Sequence, residues 1–252
     1  MAAADTKPQL EPTENPDNLP HDVEMSITEH LEELRWRIFA SLIAVVIACG
    51  ACFIWVRPIV AWLEAPAGDV RFLQLAPGEF FFVSFKVAAL VGVILVSPFI
   101  LYQVIQFILP GLTRRERDLL GPAVLGSSVL FFTGLAFSHW ALVPAALSFF
   151  ISYGGDVVEQ AWSIESYFDF VLLLMFCTGL VFQVPVLQYI LANLGIVSSN
   201  QMLKTWRYVI LLSVVLGAIL TPSTDPVTQS LLAGAVLCLY FGGIGVVKAL
   251  GK

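Results

Sequence analysis

Six stretches of apolar residues dominate this sequence, and they constrain the fold more than any other feature. A helix that crosses a bilayer needs about 20 predominantly apolar residues. The stretches predicted to be transmembrane helices cover approximately residues 38–56, 80–109, 119–143, 167–194, 208–220 and 227–247. Charged residues make up only 13% of the chain, against about 25% in a soluble domain. The sequence therefore predicts an all-α integral membrane protein with six transmembrane helices.

The predicted helices differ in length. The second has about 30 residues and must tilt or bend, and Pro98 marks the place where bending costs least. The fourth is also long and contains Pro185, whereas the fifth has only about 13 apolar residues, too few for a full crossing. These lengths predict a concave bundle that thins the adjacent membrane. The alternative is a compact bundle with ordinary scatter in helix length.

The distribution of Lys and Arg predicts the orientation, because cytoplasmic loops are enriched in these residues. With the N-terminus in the cytoplasm, ten lie on the inner side and three on the outer side. The inner set is Lys7, Arg35, Arg37, Arg114, Arg115, Arg117, Lys204, Arg207, Lys248 and Lys252, and the outer set is Arg57, Arg71 and Lys86. Six crossings return the C-terminus to the cytoplasm as well.

The segments outside the spans have distinct compositions. Residues 1–24 contain four prolines, several acids and no apolar run, so we predict a disordered acidic cytoplasmic tail before a transmembrane domain at 25–252. The outer segments 57–79 and 144–166 contain apolar stretches with tryptophan. We expect them to form short helices at headgroup depth.

Several classes of function are disfavoured by what the sequence lacks. Basic residues are too few and scattered for a nucleic-acid groove, and no G-x-x-x-x-G-K-[ST] nucleotide motif is present. Cys49 and Cys52 form a C-x-x-C within an apolar run, where small apolar side chains are a better interpretation than a redox pair. His139 has no second His or Cys nearby, so we predict no metal and no cofactor.

The first polar motif precedes the first span and reads E-H-L-x-E-L-R-x-R from Glu29 to Arg37. Ser26 and Glu29 have the spacing of a capping box, which predicts a helix start. In the simpler interpretation the charges of this helix are solvated, and its arginines act as topology anchors and nothing more. Glu33 is the residue that we single out, for the reason given below.

The second motif follows the long second span. It reads S-P-F-I-L-Y-Q-V-x-x-F-x-x-P-G-L from Ser97 to Leu112, followed by R-R-E-R at 114–117. Proline and glycine end the helix. Together with the first motif, F-Q-V-P-V at 182–186 and L-T-P-S-T-D at 220–225, this run resembles the TatC family of twin-arginine translocase subunits over residues 25–247.

This resemblance implies a receptor for the twin-arginine signal peptides of folded proteins, acting at the cytoplasmic face. The binding residues that it implies are Glu33, Arg35, Pro66, Pro98, Phe107, Glu116 and Arg117. The chemistry agrees, because two adjacent guanidinium groups are best bound by two carboxylates that each accept a bidentate pair. Neighbouring arginines keep such acids ionised and hold the loop against anionic membrane lipid.

Polar residues in the later spans form a second candidate set. It comprises Gln183, Thr221, Asp225 and Gln229. The family often has Glu at the position of Gln183, and the amide argues against a proton-carrying role. Two roles stay open for Gln183: a hydrogen bond into the cavity, or a buried amide satisfied by a neighbouring helix. The resemblance implies docking of TatA- and TatB-type single-span subunits here, a homo-oligomeric complex, and energy from the proton-motive force.

Two other functions compete with the receptor. A secondary transporter of a small solute needs ionisable groups at mid-membrane, and the spans offer Gln183 but no central charge. An intramembrane hydrolase needs paired acids or a nucleophile with a base, which the spans lack, so we predict no enzymatic activity. We expect the bacterial inner membrane, with the thylakoid membrane as the alternative that Gln183 and the acidic tail favour.

Overall fold

The computed structural model describes residues 27–68, 70–108, 120–153, 161–220 and 225–249, and nearly all of them are helical. The α-helices are α1 (Ile27–Ile54), α2 (Val56–Glu64), α3 (Glu79–Ile108), α4 (Leu120–Phe137), α5 (Val143–Ser152), α6 (Ile164–Val181), α7 (Val184–Asn193), α8 (Ser199–Lys204), α9 (Trp206–Leu220) and α10 (Pro226–Ala249). The other elements are a 3-10 turn at Ala65–Ala67, a π-helical segment at Ser138–Leu142, and the strands β1 (Phe72–Leu73) and β2 (Trp162–Ser163). The predicted tail, residues 1–24, lies outside the described residues.

Within the described residues, five helical stretches are long and apolar enough to cross a membrane. They are Thr28–Ile54, Glu79–Ile108, Gly121–Ser152, Ile164–Asn193 and Pro226–Ala249. They confirm the prediction of an all-helical membrane protein. The predicted short fifth span corresponds to α9, which has 15 residues and is below the length of an ordinary crossing. The six crossings, the orientation and the concave shape therefore remain predictions.

Helix α1 packs mainly along α3 and leaves much of its apolar surface outside the bundle. Trp36 and Ile47, for example, are 69% and 68% exposed. The two helices approach closely at Gly92 of α3, where an added methyl group would lie 2.8 Å from the backbone nitrogen of Cys49. Small residues at membrane helix contacts allow this kind of approach. The helix start predicted from the first motif and the first span thus form one continuous helix, which packs mainly against α3.

Prolines affect two of the long spans differently. Helix α3 continues through Pro98 without a break. The fourth span instead divides at Phe182 and Gln183, and Pro185 occupies the first turn of α7. Proline is tolerated in the first turn of a helix because its missing N–H has no intrahelical acceptor there. The fourth span, which the sequence predicts as one stretch, is therefore divided before Pro185, whereas Pro98 does not interrupt α3.

The third span is longer than the sequence predicted. Residues 121–152 form one helical stretch in which the π-helical segment joins α4 to α5. The expected separate outer helix after residue 143 is therefore a continuation of the span. The other outer segment does contain the expected short helix, α2.

The two outer segments are joined through β1, β2 and Glu79. Phe72 pairs with Trp162 and Leu73 with Ser163 in a parallel arrangement. One oxygen of Glu79 accepts from the backbone N–H of Leu75 at 2.6 Å, and the other accepts from the Ser163 hydroxyl at 2.7 Å. These bonds satisfy a buried carboxylate and fix the start of α3 to the start of α6.

An ion-pair cluster lies one to two turns further along the same helices. Lys86 of α3 donates to Glu165 at 2.9 Å and to Asp169 at 2.6 Å, both on α6. The lysine that the sequence places near the outer end of its span is thus neutralised by two acids. This pairing explains how α3 tolerates a charge inside an apolar helix.

The largest buried cluster lies between α2, α3, α4, α5 and α6. Its fully buried side chains include Leu63, Val87, Leu142, Phe168 and Leu174. A smaller cluster joins α7, α8 and α10 through Met202, Tyr240 and Ile244. In this second cluster the Tyr240 hydroxyl donates to the carbonyl of Met202 at 2.7 Å.

Candidate functional site

A Glu–Arg pair near the start of α1 forms the centre of the first candidate site. Glu33 and Arg37 are four residues apart, so their side chains lie on the same helix face. Arg37 donates from Nε to Glu33 Oε1 at 2.9 Å, and its Nη2 donates to the same oxygen. Both side chains are partly buried, at 24% exposure for Glu33 and 18% for Arg37. The pair is therefore more protected than an ordinary surface salt bridge.

Arg37 also connects α1 to the end of α3. Its Nη1 donates to Gln103 Oε1 at 2.8 Å and to Gln106 Oε1 at 2.7 Å. The two glutamines are three residues apart on α3 and face the same side. The planar guanidinium presents several donors in fixed directions, which suits binding of one carboxylate and two amides at once.

The second carboxylate oxygen of Glu33, Oε2, differs from Oε1 in its surroundings. Glu33 Oε2 is shielded from solvent and has no hydrogen-bond partner among the described residues. His30 Nδ1 lies 3.8 Å away and is also shielded and unpartnered there. A shielded carboxylate oxygen without a donor is unfavourable. Glu33 Oε2 is therefore an acceptor that a donor from a bound molecule can satisfy.

An aromatic pair forms one side of this cluster. The rings of His30 and Phe107 are stacked, with centroids 4.3 Å apart and planes 6° apart. Phe107 is in the last turn of α3, so it lies immediately before residues 109–119. The cluster therefore combines an available carboxylate oxygen, a fixed guanidinium and an apolar face at one end of α1 and α3.

The other predicted binding residues are distributed unevenly. Arg35 is exposed and, within the described ranges, pairs with Glu32 at 3.4 Å. Pro98 lies within α3, and Pro66 lies in the 3-10 turn that follows α2. Glu33 and the far end of α1 are about 30 Å apart along the helix, so the structure does not bring Pro66 to this cluster. Glu116 and Arg117 lie outside the described residues.

Sequence reasoning missed four members of the cluster: His30, Arg37, Gln103 and Gln106. As a topology anchor alone, Arg37 would need no partner, but its spacing from Glu33 allows a pair on one helix face. Gln103 and Gln106 have a three-residue spacing in the last turns of α3. The sequence signal for these partners is a pair of amides on one face near the end of a helix. Such a pair can bind an arginine on a neighbouring helix.

Gln183, in the second candidate set, is a buried amide whose hydrogen bonds are supplied by α4. Its Nε2 donates to the backbone carbonyl of Ser127 at 3.1 Å, and its Oε1 accepts from the Ser127 hydroxyl. Both ends of the amide are thus used by one residue of a neighbouring helix. This geometry matches the second of the two roles that the sequence left open.

Asp225 and Gln229 hold the junction between α9 and α10. Asp225 is buried and caps α10, accepting from the N–H groups of Val227 at 3.0 Å and Thr228 at 3.1 Å. Gln229 donates to the carbonyl of Val214 on α9 at 3.1 Å. Thr221 lies outside the described residues. Asp225 thus acts in the structure as a helix cap, and Gln229 joins the two helices.

No group of three His, Cys, Asp or Glu side chains that could hold a metal ion occurs in the described part of the chain.

Comparison with known proteins gives consistent matches over nearly the whole chain. The family model "TatC: Sec-independent protein translocase protein (TatC)" matches residues 29–234. The Sec-independent protein translocase protein TatC of Synechocystis sp. is 71% identical over 236 residues, which cover 94% of this chain and 93% of the relative. The chloroplastic TATC of Arabidopsis thaliana is 58% identical over 238 residues, covering 94% of this chain and 70% of the relative.

A solved structure agrees with these sequence matches. The crystal structure of the twin arginine translocase receptor TatC superimposes with a TM-score of 0.78 at 34% sequence identity. The match covers 89% of this chain and all of that chain.

Proposed function

The chain belongs to the TatC family of Sec-independent protein translocase proteins, and from this we propose that it is the receptor subunit of a twin-arginine translocase. In this role it binds the twin-arginine signal peptides of folded proteins at the cytoplasmic face of the membrane. The observation that carries the proposal is Glu33 Oε2, which has no hydrogen-bond partner among the described residues. It lies 3.8 Å from Nδ1 of His30, whose ring stacks on Phe107, within a cluster that joins α1 to α3.

The proposed recognition uses two carboxylates. Glu33 Oε2 accepts N–H donors from one arginine of the peptide, while Glu33 Oε1 stays bound to Arg37. Glu116, in the basic segment that follows α3, is proposed to accept the second arginine. Phe107 provides the apolar face against which the peptide packs. Arg37, Gln103 and Gln106 are proposed to hold Glu33 in position.

We propose a topology of six crossings with both termini in the cytoplasm. The excess of Lys and Arg on the proposed inner side supports it, and α9 would supply the short fifth crossing. The cluster around Glu33 then faces the cytoplasm, where signal peptides arrive. The relatives from Synechocystis sp. and from chloroplasts support either a bacterial inner membrane or a thylakoid membrane as the location.

The proposed partners are single-span subunits of the TatA and TatB types and further copies of this chain. The end of α9 and the start of α10, with Thr221 and Gln229, are the proposed docking surface. Transport is proposed to use the proton-motive force, without a catalytic reaction by this chain. A transporter of small solutes is not proposed, because the amide of Gln183 is fully engaged with Ser127.

Crosslinking tests this function. A photoreactive residue next to the arginine pair of a signal peptide should crosslink to the protein in native membranes. Glu116→Lys should abolish that crosslink without lowering the amount of protein, because it replaces an acceptor with a repelling charge. Unchanged crosslinking by the Glu116→Lys protein would contradict the proposed role of the carboxylate.

A matched pair of variants tests Glu33 in the same assay. Glu33→Gln keeps the shape of the side chain but removes its charge, and should strongly reduce crosslinking. Glu32→Gln makes the same change one residue away on an exposed side chain, and should leave crosslinking intact. Equal loss in both variants would point to a general effect of charge on α1.

A further inference from the structure

A cavity of about 460 Å³ lies among α2, α3, α4 and α6, far from the cluster around Glu33. Its wall includes Trp62 of α2, Leu90 and Ile94 of α3, Leu135 of α4 and Met175 of α6. The volume is within the range of small-molecule sites. Trp140 and Phe132 also line the cavity and are 71% and 42% exposed, so its rim reaches the outer surface of the bundle.

The wall is lined by apolar and aromatic side chains together with one histidine. His139 lines the cavity, is 3% exposed, and has a shielded Nδ1 without a hydrogen-bond partner in the described part of the chain. Its ring stacks on Trp62 with centroids 4.0 Å apart. A neutral imidazole carries one N–H donor. The wall is thus suited to an apolar molecule that carries a hydrogen-bond acceptor.

The depth of His139 in the third span narrows the choice of ligand. His139 follows Gly121, the first residue of that span, by 18 residues, or about 27 Å at 1.5 Å per residue. The hydrocarbon core of a bilayer is about 30 Å thick. With Gly121 placed at one boundary of the hydrocarbon core, His139 lies near the other boundary, where tryptophans also concentrate. The ester carbonyls of glycerolipids lie at this boundary.

The backbone at this position is also unusual. His139 belongs to the π-helical segment Ser138–Leu142. Such segments are rare and frequently occur at functional sites. The adjacent Ser138 hydroxyl is buried and without a partner among the described residues.

We propose that this cavity binds one acyl chain of a membrane glycerolipid, whose ester carbonyl accepts a hydrogen bond from the imidazole of His139. The chain passes between α3 and α4 toward Met175. This site is independent of signal-peptide binding, so the two proposals can fail separately.

Photolabelling tests the occupant directly. The protein is placed in nanodiscs of phosphatidylglycerol that contain a tracer with a diazirine midway along one acyl chain. We expect adducts on Met175, which is 3% exposed but lines the cavity. Leu174 is its matched control, because it is fully buried and is not part of the wall. Labelling of exposed Leu125 without labelling of Met175 above Leu174 would overturn the proposal.

Filling the cavity provides a second test. Ala136→Trp places an indole in the wall and should remove the label from Met175. Val129→Trp makes the same change at an exposed position of α4 outside the wall and should preserve it. Persistent labelling of Met175 in a folded Ala136→Trp protein contradicts the proposal. If Ala136→Trp does not fold, the comparison of Met175 with Leu174 in the unmodified chain still decides.

The role of His139 is tested by His139→Phe, which keeps a ring against Trp62 but removes both nitrogens. At subsaturating tracer, labelling of Met175 should fall about two- to tenfold, the factor that one hydrogen bond supplies. Undiminished labelling would overturn the ester contact.

A photoreactive residue at position 136 tests whether a protein occupies the cavity instead of a lipid. A lipid adduct in native membranes is expected. A protein adduct would show that a partner helix fills the cavity and would overturn the proposal.

Discussion

At the scale of single residues, the cluster on α1 depends on how one guanidinium is shared. Arg37 donates to Glu33, Gln103 and Gln106 at the same time. Hydrogen bonds to charged groups contribute about 1.5–3 kcal/mol each in mutational series. The partial exposure of the pair reduces that figure. Arg37 is thus both the residue that orients Glu33 and a contact between two helices.

This sharing leads to a prediction for Arg37. Arg37→Gln should destabilise the protein by about 1–3 kcal/mol, because it leaves the Glu33 carboxylate without its donor. Arg35→Gln is the control, since Arg35 is 80% exposed and such pairs contribute little. Thermal unfolding in detergent compares the two variants. A similar loss for both would contradict the bridging role of Arg37.

Gln183 and Ser127 provide a second prediction at the residue scale. Gln183→Leu removes an interhelical hydrogen-bonded pair, which is worth about 0.6 kcal/mol on average in a membrane and up to ~1.7. In a double-mutant cycle with Ser127→Ala, the two losses should be less than additive because both changes break the same bonds. Strict additivity in the unfolding free energies would mean that the two side chains do not interact.

The sequence was sufficient to single out some residues of these clusters, but not the residues that bind them. The resemblance to the TatC family implied Glu33 and Phe107, and the cost of polar groups in apolar helices drew attention to Gln183. Arg37 was missed because its partners on α3 lie about 66 residues later in the chain, and spacing on one helix does not show what a second helix contributes. Pro66 lies away from the cluster because α1 separates them by its own length.

At the scale of elements, the position of α1 depends mainly on one neighbouring helix. Helix α1 packs mainly along α3, and the point of closest approach is Gly92 against the backbone of Cys49. A larger side chain at Gly92 would force the two helices apart. Since Arg37 and its glutamines also lie between α1 and α3, the geometry of the candidate site depends on this packing.

The matched substitution pair Gly92→Leu and Gly50→Leu tests this dependence. Gly92→Leu should destabilise the protein by about 1–3 kcal/mol through overpacking and should weaken signal-peptide binding. An added Cβ at Gly50 meets no atom within 4 Å, so Gly50→Leu should do neither. The free energy of unfolding and crosslinking yield give the two readouts. Equal behaviour of the two leucine variants would exclude close packing at Gly92 as the cause.

Some helix boundaries could be predicted from the sequence and others could not. The short α9 followed from the length of its apolar stretch, but the break before Pro185 was not predicted. The continuation of the third span to Ser152 was not predicted either. Pro144 favours a helix end near residue 143, but it lies in the first turn of α5, where the π-helical segment leads into it. Periodicity cannot distinguish a longer span from a span followed by an interfacial helix when both are apolar.

At the scale of the whole molecule, the orientation in the membrane determines which face receives signal peptides. Single cysteines in a variant with the four native cysteines replaced by alanine test it. Gln74→Cys should react with an impermeant thiol reagent applied from the outer side, and Asn200→Cys only after permeabilisation. Both positions are exposed, so reactivity reports the side of the membrane. The reverse pattern would place the cluster around Glu33 on the wrong face.

The central claim is that carboxylates of this chain recognise a pair of guanidinium groups. The most direct measurement is the affinity of the purified protein in nanodiscs for a signal peptide with two arginines and for the same peptide with two lysines. Lysine keeps the charge but loses the fork of donors. The account predicts at least tenfold preference for arginine, retained in Glu32→Gln and lost in Glu33→Gln. An arginine preference that survives Glu33→Gln undiminished would contradict it.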